Sequence, residues 1–125
     1  MLASITGNEH SKLQYLLTSL ACKLDCNIWC DNVSEEDIMD AVGIVTYEKV
    51  LIANLDSAQR FETYAIPGPR GSRIACLNGA AAYMGSVGDR LIVMAFAQVD
   101  QDDVPAHCPK VVRLDENNTI VAKAY

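Results

Sequence analysis

The sequence has few basic residues, and they form no cluster. Its 125 residues include 10 Lys and Arg against 16 Asp and Glu, which gives a formal net charge of -6. Nucleic acids and anionic membrane surfaces attract proteins through basic patches. The sequence therefore predicts a protein that binds neither nucleic acid nor membrane.

Long apolar runs are also missing. The longest, Leu91 to Ala97, is much shorter than the roughly 18 residues that a membrane-spanning helix requires. Residues 1–4 lack the basic start of a signal peptide, so the sequence predicts a cytoplasmic protein. Because the cytoplasm is reducing, the five cysteines are expected as thiols rather than disulfides.

Aromatic residues are few, and the apolar half of the chain consists mainly of Ala, Val, Ile and Leu. No internal repeat, low-complexity segment or alternation of strands with helices is present. A chain of this length fits one domain, residues 1–125, with a core that needs no covalent staples. Many short apolar segments predict a mostly β fold with one or two short helices, arranged as a small barrel or sandwich.

The predicted elements follow from periodicity and turn residues. Ser34 has the character of a helix cap, and the helix is expected to run through Ala41 and to end at Gly43. A helical turn is predicted for residues 79–84. Strands are predicted at residues 49–54, 60–66, 73–77, 91–98, 111–114 and 119–122.

Two N-terminal segments are less regular. Residues 8–20 place leucines at helical spacing, and a strand is the alternative. Residues 22–30 alternate apolar and polar side chains, which predicts one strand with Cys22, Cys26 and Cys30 on the same face. Thiols at that spacing along one strand are too far apart to bind one metal ion, so no metal site is expected.

Four polar residues are candidates for chemistry: Arg60, Thr63, Tyr64 and Asn78. Alternation along a strand sends Arg60 and Tyr64 to one face, with Glu62 between them. An arginine beside a tyrosine can bind a carboxylate and supply a proton. A surface Arg–Glu pair, and a simple turn at Asn78, are the alternatives.

Linked motifs across residues 33–125 resemble the pyruvoyl-dependent aspartate 1-decarboxylase family. They occur in order and at consistent distances: Asp40-Ala41-Val42-Gly43-Ile44, Arg60-Phe61-x-Thr63-Tyr64-Ala65-Ile66, Arg70-Gly71-Ser72, Asn78-Gly79-Ala80-Ala81-Ala82, Gly88-Asp89, Ala106-His107-x-Pro109 and Asp115-Glu116-x-Asn118. The resemblance implies a double-psi β-barrel that assembles as a tetramer with active sites between subunits. It also favours a strand for residues 8–20.

The resemblance assigns roles residue by residue. Arg60 would bind a substrate carboxylate, and Tyr64 would return a proton to the carbanion. Thr63 and Asn78 would polarise the peptide carbonyl during self-cleavage or stabilise an oxyanion. Lys12 resembles the family's N-terminal lysine. The remaining substrate-binding positions come from the same motif as Asn78: Gly79, Ala80 and Ala81.

The resemblance stops at the processing site, where the family cuts itself before a serine that follows glycine and turns that serine into pyruvoyl. No Gly-Ser precedes the helix. One alignment places Asp31 at the processing position. A second keeps Ser34 as the helix cap and places Cys30 there, with Trp29 in place of the glycine.

Cys30 therefore has three interpretations: a buried core thiol, a nucleophile or acid/base thiol in a repurposed pocket, or a self-processing residue that yields pyruvoyl. The sequence predicts a diverged decarboxylase-like enzyme for a small carboxylate or amino acid, without pyruvoyl or another cofactor unless Cys30 self-processes. The alternatives are an authentic aspartate 1-decarboxylase that makes β-alanine, and a non-catalytic homologue that binds a metabolite.

Overall fold

A computed structural model of the chain describes residues 12–24, 26–28 and 33–124. Within these ranges the strands are β1 Lys12–Lys23, β2 Cys26–Ile28, β3 Val33–Glu35, β4 Lys49–Asn54, β5 Arg60–Tyr64, β6 Pro67–Gly68, β7 Ala75–Asn78, β8 Arg90–Asp100, β9 Lys110–Leu114 and β10 Ile120–Ala124. The helices are α1 Glu36–Val42 and two 3₁₀ helices, Gly79–Met84 and Gln101–Ala106. The prediction of a mostly β chain is confirmed, and the short helix at 101–106 adds to the two that were predicted.

The larger sheet has six strands in the order β10-β9-β1-β8-β4-β5. Its centre is the antiparallel pair of β1 and β8, which run together from Lys12 opposite Asp100 to Lys23 opposite Arg90. The sheet is mixed, because β9 pairs with β1 in the parallel direction. β5 is the strand at one edge, and β4 joins it to β8.

The smaller sheet has four strands in the order β2-β7-β3-β6. β2 lies parallel to β7, with Cys26 opposite Cys76 and Ile28 opposite Asn78. On the other side of β7 lies β3, which runs antiparallel to it. β2 is therefore the strand of this sheet that leads into residues 29–32.

The core lies between the sheets and the apolar face of α1. Its members are apolar and mainly branched or small, as the composition predicts, and they are nearly inaccessible to solvent. The most prominent are Leu20, Leu24, Ile38, Met39, Val42, Ile44, Val50, Ile52, Leu77, Leu91, Val93, Ala95, Val112 and Leu114. The end of α1 is set by Gly43, which has a φ of 79° and donates its N–H to the carbonyl of Met39 at 2.8 Å.

The ambiguous N-terminal segment is a strand from Lys12 onward, and residues 1–11 lie outside the described ranges. Its leucines had indicated a helix because the strand contains a register shift between Leu16 and Thr18. Such a bulge interrupts the two-residue alternation and leaves apolar residues three and four apart. His107 lies at this point, with Nε2 2.7 Å from the carbonyl oxygen of Leu16.

The prediction of a single strand from Cys22 to Cys30 is wrong. β1 ends at Lys23, and β2 begins at Cys26 in the other sheet. The chain leaves the first sheet at Leu24, which exchanges backbone hydrogen bonds with Asp89 and Gly88, each at 2.8 Å. Cys22 and Cys26 therefore belong to different sheets, and Cys30 lies outside the described residues.

Candidate active site

The edge strand β5 presents its side chains as the sequence predicts. Arg60, Glu62 and Tyr64 are exposed, whereas Phe61 and Thr63 on the other face are partly buried. The Arg–Glu pair, which was the alternative interpretation, is not seen among the described residues, because Glu62 instead makes an ion pair with Lys49 at 2.8 Å. Among the residues that the structure describes, no carboxylate pairs with Arg60, so its guanidinium is available to an anion.

A groove of about 310 Å³ lies along this exposed face. Lys49, Leu51, Glu62 and Phe96 line it. Arg60 and Tyr64 flank Glu62 on the same face of β5, at the positions two residues before and after it. A volume of this size suits a small ligand.

Thr63 faces the interior, away from Arg60. It lines a small cavity of about 30 Å³ together with Tyr64, Ala65 and Cys76. Tyr64 touches both environments, since its side chain lies at this cavity and is still 47% exposed. The space is that of roughly one water molecule, so the cavity is not a substrate pocket.

Asn78 ends β7 and is buried, with 4% exposure. Gly79 follows with a φ of 58°, a conformation that favours glycine, and begins the 3₁₀ helix that ends at Met84. This helix contacts β2, β5 and β7. Consequently the motif that contains Asn78, Gly79, Ala80 and Ala81 lies beside the strand that carries Arg60 and Tyr64.

Asn78 also lies beside the strand that leads to the processing segment. In the parallel pair of β2 and β7, Ile28 is level with Asn78. The chain therefore enters residues 29–32, which contain Cys30, at a point adjacent to the Asn78 backbone. This placement agrees with the role that the resemblance assigns to Asn78, and it leaves the role itself a prediction.

Lys12 lies far from Arg60 in the register of the larger sheet. Arg60 is level with Ala53, Ile92 and Ala21 across four strands. Lys12 lies nine positions before Ala21, a path of roughly 30 Å along the strand. The predicted site residues Arg60, Tyr64 and Asn78 thus lie on neighbouring elements, and Lys12 does not lie with them in one copy of the chain.

Sequence reasoning missed Asn54, which organises one end of this region. Its buried side chain donates to Asp89 Oδ2 at 2.9 Å and to the carbonyl of Met84 at 3.2 Å. Its Oδ1 accepts the backbone N–H groups of Asp56 and Ser57. The signal was the segment Asn-Leu-Asp-Ser directly after a strand, which is typical of a turn closed by an asparagine side chain.

Sequence reasoning also missed the role of Asn118, which lies between the strands predicted at 111–114 and 119–122. The Asn118 side chain accepts the Lys23 N–H at 2.9 Å and donates to the carbonyls of Lys23 and Arg73 at 2.9 and 3.1 Å. It is 2% exposed and has a φ of 55°. These bonds hold the chain where it leaves β1 for β2.

Two further exposed arginines are held by carboxylates. Arg70 pairs with Asp37 and with Asp40, the latter at 3.0 Å, which ties the loop after β6 to α1. Arg90 pairs with Asp56 at 2.9 Å. The Arg90 hydrogen bonds lower the pKa of the Asp56 carboxyl, and the same pair raises the pKa of Arg90.

The cysteines differ from the expectation of uniform thiols. Cys22 and Cys108 carry thiols, as predicted. For Cys76 the prediction is wrong, since it is disulfide-bonded. The prediction of thiols rested on the reducing cytoplasm, which applies to cysteines in general. The register of a sheet can still place two particular cysteines side by side.

No group of three metal-binding side chains lies together in the described ranges. No helix there is long and apolar enough to cross a membrane.

Residues 32–121 match the family model described as Aspartate decarboxylase. An aspartate 1-decarboxylase from Halalkalibacterium halodurans is 55% identical over 87 residues, which cover 70% of this chain and 68% of that protein. One from Exiguobacterium sibiricum is 50% identical over 86 residues, covering 69% and 68%. One from Geobacillus sp. is 51% identical over 86 residues, with the same coverage.

Proposed function

The chain belongs to the aspartate decarboxylase family, and on that premise we propose that it is a decarboxylase-like enzyme for a small carboxylate-bearing substrate. Arg60 binds the carboxylate, because its exposed guanidinium can form two parallel hydrogen bonds to the two oxygens. Tyr64, on the same face of β5, donates a proton to the substrate carbon. Asn78 supplies an amide to a developing oxyanion.

One observation carries this proposal: the 3₁₀ helix that begins after Asn78 contacts both β5 and β2. The binding pair on β5, the amide on β7 and the entry to residues 29–32 are therefore parts of one region.

We further propose that the enzyme works without self-cleavage. In the family a pyruvoyl group supplies an electrophilic ketone, and a glycine precedes the serine from which it is made. In the alignment that treats Ser34 as the helix cap, Trp29-Cys30 stands at that position, and in the other alignment it is Cys30-Asp31. A tryptophan resists the backbone conformations that glycine allows, so these residues do not fit the family's processing reaction. Without that ketone, a substrate that loses CO2 must itself carry a carbonyl group that takes up the electron pair, as an enolate oxyanion beside the Asn78 amide. We propose Cys30 as a nucleophile in the same pocket.

A second candidate function is favoured by the comparisons. Relatives about 50% identical to this chain are named aspartate 1-decarboxylase. This candidate is an authentic aspartate 1-decarboxylase that cleaves itself between Trp29 and Cys30. A non-catalytic homologue that only binds the carboxylate is the third.

Intact mass and denaturing electrophoresis distinguish the first two candidates. An uncut protein gives one species of 13.6 kDa. Two fragments that meet at residues 29 and 30, with a hydrazine-reactive group on the C-terminal fragment, would overturn the proposal and establish the second candidate. For an uncut chain, turnover of small amino and carboxylic acids that Tyr64→Phe abolishes would exclude the third.

We also propose that the enzyme is a homo-oligomer, with a tetramer as the expected form. The support is the separation of Lys12 from Arg60 along the larger sheet. If both residues act on one substrate, as the resemblance implies, they come from different copies. The cytoplasmic location remains a prediction from the sequence.

A further inference from the structure

Cys76 is a buried cysteine on β7, with 7% exposure, and it is disulfide-bonded. The chain has five cysteines. Cys22 and Cys108 carry thiols. Within one chain, the partner of Cys76 is therefore Cys26 or Cys30.

The register of the smaller sheet distinguishes these two. Cys26 is directly opposite Cys76 in the parallel pair of β2 and β7. Neighbouring strands lie about 4.8 Å apart, which is within the Cα separation of about 4.4–6.8 Å that disulfides require. Cys30 comes two residues after Ile28, where β2 ends and which is level with Asn78 rather than with Cys76.

We propose that Cys26 and Cys76 form a redox-responsive disulfide that ties β2 to β7, and that Cys30 is left as a thiol. The tie crosses the pair of strands that ends, two positions later, at Ile28 and Asn78. It therefore fixes the entry to residues 29–32 against the strand that carries Asn78. Its consequence for catalysis rests on the proposed function, whereas its existence does not.

The reduced and oxidised proteins differ in how firmly β2 is held. β2 has three residues, and all three pair with β7. A ladder of this length opens locally at low cost. A disulfide between Cys26 and Cys76 prevents the two strands from separating. Oxidation therefore holds β2 against β7, and reduction allows the pair of strands to open.

The chemistry balances as thiol–disulfide exchange with a low-molecular-weight disulfide of the oxidised glutathione class. The thiolate of one cysteine attacks a sulfur of that molecule and releases one small thiol. The second cysteine attacks the resulting mixed disulfide and releases the other small thiol. Two protein S–H bonds are replaced by one S–S bond, and the small disulfide is reduced to two thiols.

Peptide mapping tests the pairing. Trypsin leaves Cys26 and Cys30 in one peptide, residues 24–49, and Cys76 in another, residues 74–90. Chymotrypsin then separates Cys26 from Cys30, because Trp29 lies between them. After alkylation of the intact protein, we expect a cross-linked peptide with Cys26 and Cys76, and labelled Cys30. A Cys30–Cys76 cross-link, or full labelling of Cys76 in protein purified without reductant, would overturn the proposal.

Equilibration in glutathione buffers of graded ratio tests the redox response. We expect the protein to lose two hydrogens in mass in oxidising buffers, and amide exchange at residues 26–28 and 76–78 to slow by at least 10-fold. Cys26→Ser and Cys76→Ala each remove both changes, whereas the control Cys108→Ser keeps them. Unchanged exchange at these residues would contradict the ordering effect, even if the disulfide is present. Ligand binding by Arg60→Ala reports on the proposed function separately.

Discussion

Arg60 differs from Arg70 and Arg90 in the ion-pair partners of its guanidinium group. Arg70 and Arg90 are held by Asp37, Asp40 and Asp56. Within the described ranges Arg60 has no such partner, because the neighbouring Glu62 pairs with Lys49. Exposure alone would not distinguish the three arginines, whereas the pairing of the carboxylates does.

Arg60→Ala should weaken the binding of a small dicarboxylic amino acid such as L-aspartate. Loss of hydrogen bonds to a charged group predicts an affinity about 10- to 100-fold lower, measured by titration calorimetry. The control is Arg113→Ala, which lies in the same row of the larger sheet across Ala21, Ile92 and Ala53. Equal losses in the two variants would indicate a nonspecific effect of charge and contradict the site.

Tyr64→Phe should affect turnover more than binding. Removal of the hydroxyl takes away the proposed proton donor and leaves the ring, which lines the small interior cavity. The expected result is a kcat lower by about 100-fold or more with a nearly unchanged KM. The control Tyr83→Phe alters an exposed tyrosine on the 3₁₀ helix. An unchanged kcat in Tyr64→Phe would remove Tyr64 from the mechanism.

Asn118→Ala should destabilise the protein strongly for a polar substitution. It removes three hydrogen bonds to the chain at Lys23 and Arg73, and it places alanine at a φ of 55°. The expected loss in the free energy of unfolding is about 2–4 kcal/mol, measured in urea. Asn117→Ala, at the exposed neighbouring position, should change it by less than about 0.5 kcal/mol. Equal effects would show that the turn, and not the Asn118 side chain, carries the stability.

At the scale of elements, sequence patterns predicted those strands and helical turns whose bounds depend on neighbouring residues. The strand at residues 49–54 and the turn of helix at 79–84 have the predicted bounds. The strand from Cys22 to Cys30 failed because its break at Leu24 depends on partners 64 and 65 residues away, Gly88 and Asp89. The bulge at Leu17 could not be predicted from the sequence either, since it is a feature of the pairing of β1 with β8.

Gly79 begins the 3₁₀ helix and Gly85 follows it, and the two positions require glycine for different reasons. Alanine substitution at each position measures the cost of each cause. At Gly79 a Cβ would meet open space, so the cost is that of its φ of 58°, about 1–2 kcal/mol. At Gly85 the backbone is extended, but a Cβ would lie 3.0 Å from Leu77 and 3.1 Å from Leu24. Overpacking there predicts a loss of about 1–3 kcal/mol.

Asparagine discriminates the two causes at Gly79 and Gly85, because it tolerates a positive φ but is larger than alanine. Gly79→Asn should be milder than Gly79→Ala, whereas Gly85→Asn should be worse than Gly85→Ala. Thermal unfolding of the four variants measures the order. The opposite order at Gly79 would mean that something other than backbone conformation requires the glycine.

The turn between β9 and β10 should make stability sensitive to acid. The Asp115 carboxylate accepts the N–H groups of Thr119 and Asn117, at 2.9 and 2.8 Å, which lower the pKa of Asp115 below its ordinary value of 3.8. Because the folded pKa is the lower one, the unfolded chain binds more protons in this range. The contribution is therefore present above pH 3.8 and is lost as the pH falls through the folded pKa.

The melting temperature of Asp115→Asn between pH 2 and pH 5 tests this assignment. The variant should lose part of the rise in stability with pH that the parent protein shows, while Glu116→Gln at the exposed next position keeps it. A parent and an Asp115→Asn variant with the same dependence on pH would show that the two backbone hydrogen bonds do not favour the ionised carboxylate.

At the scale of the whole molecule, linked motifs predicted the family and the mostly β fold because their spacing encodes many contacts at once. They did not predict which sheet receives each N-terminal segment, because β2 and β3 are three-residue strands whose pairing is decided by tertiary contacts. The same limit applies to the site. The candidate residues Arg60, Tyr64 and Asn78 were predicted from motifs. The separation of Lys12 from Arg60 is seen only in the register of four strands.

That separation leads to a prediction about assembly. One copy of the chain places Lys12 about 30 Å along β1 from the row of Arg60, so a site that uses both needs a second copy. Sedimentation should give a species larger than the 13.6 kDa monomer. Lys12→Ala and Arg60→Ala should each weaken ligand binding, and mixed refolding of the two should restore a fraction of tight sites. A monomer that binds ligand with full affinity, or no restoration in verified mixed oligomers, would place the whole site in one copy.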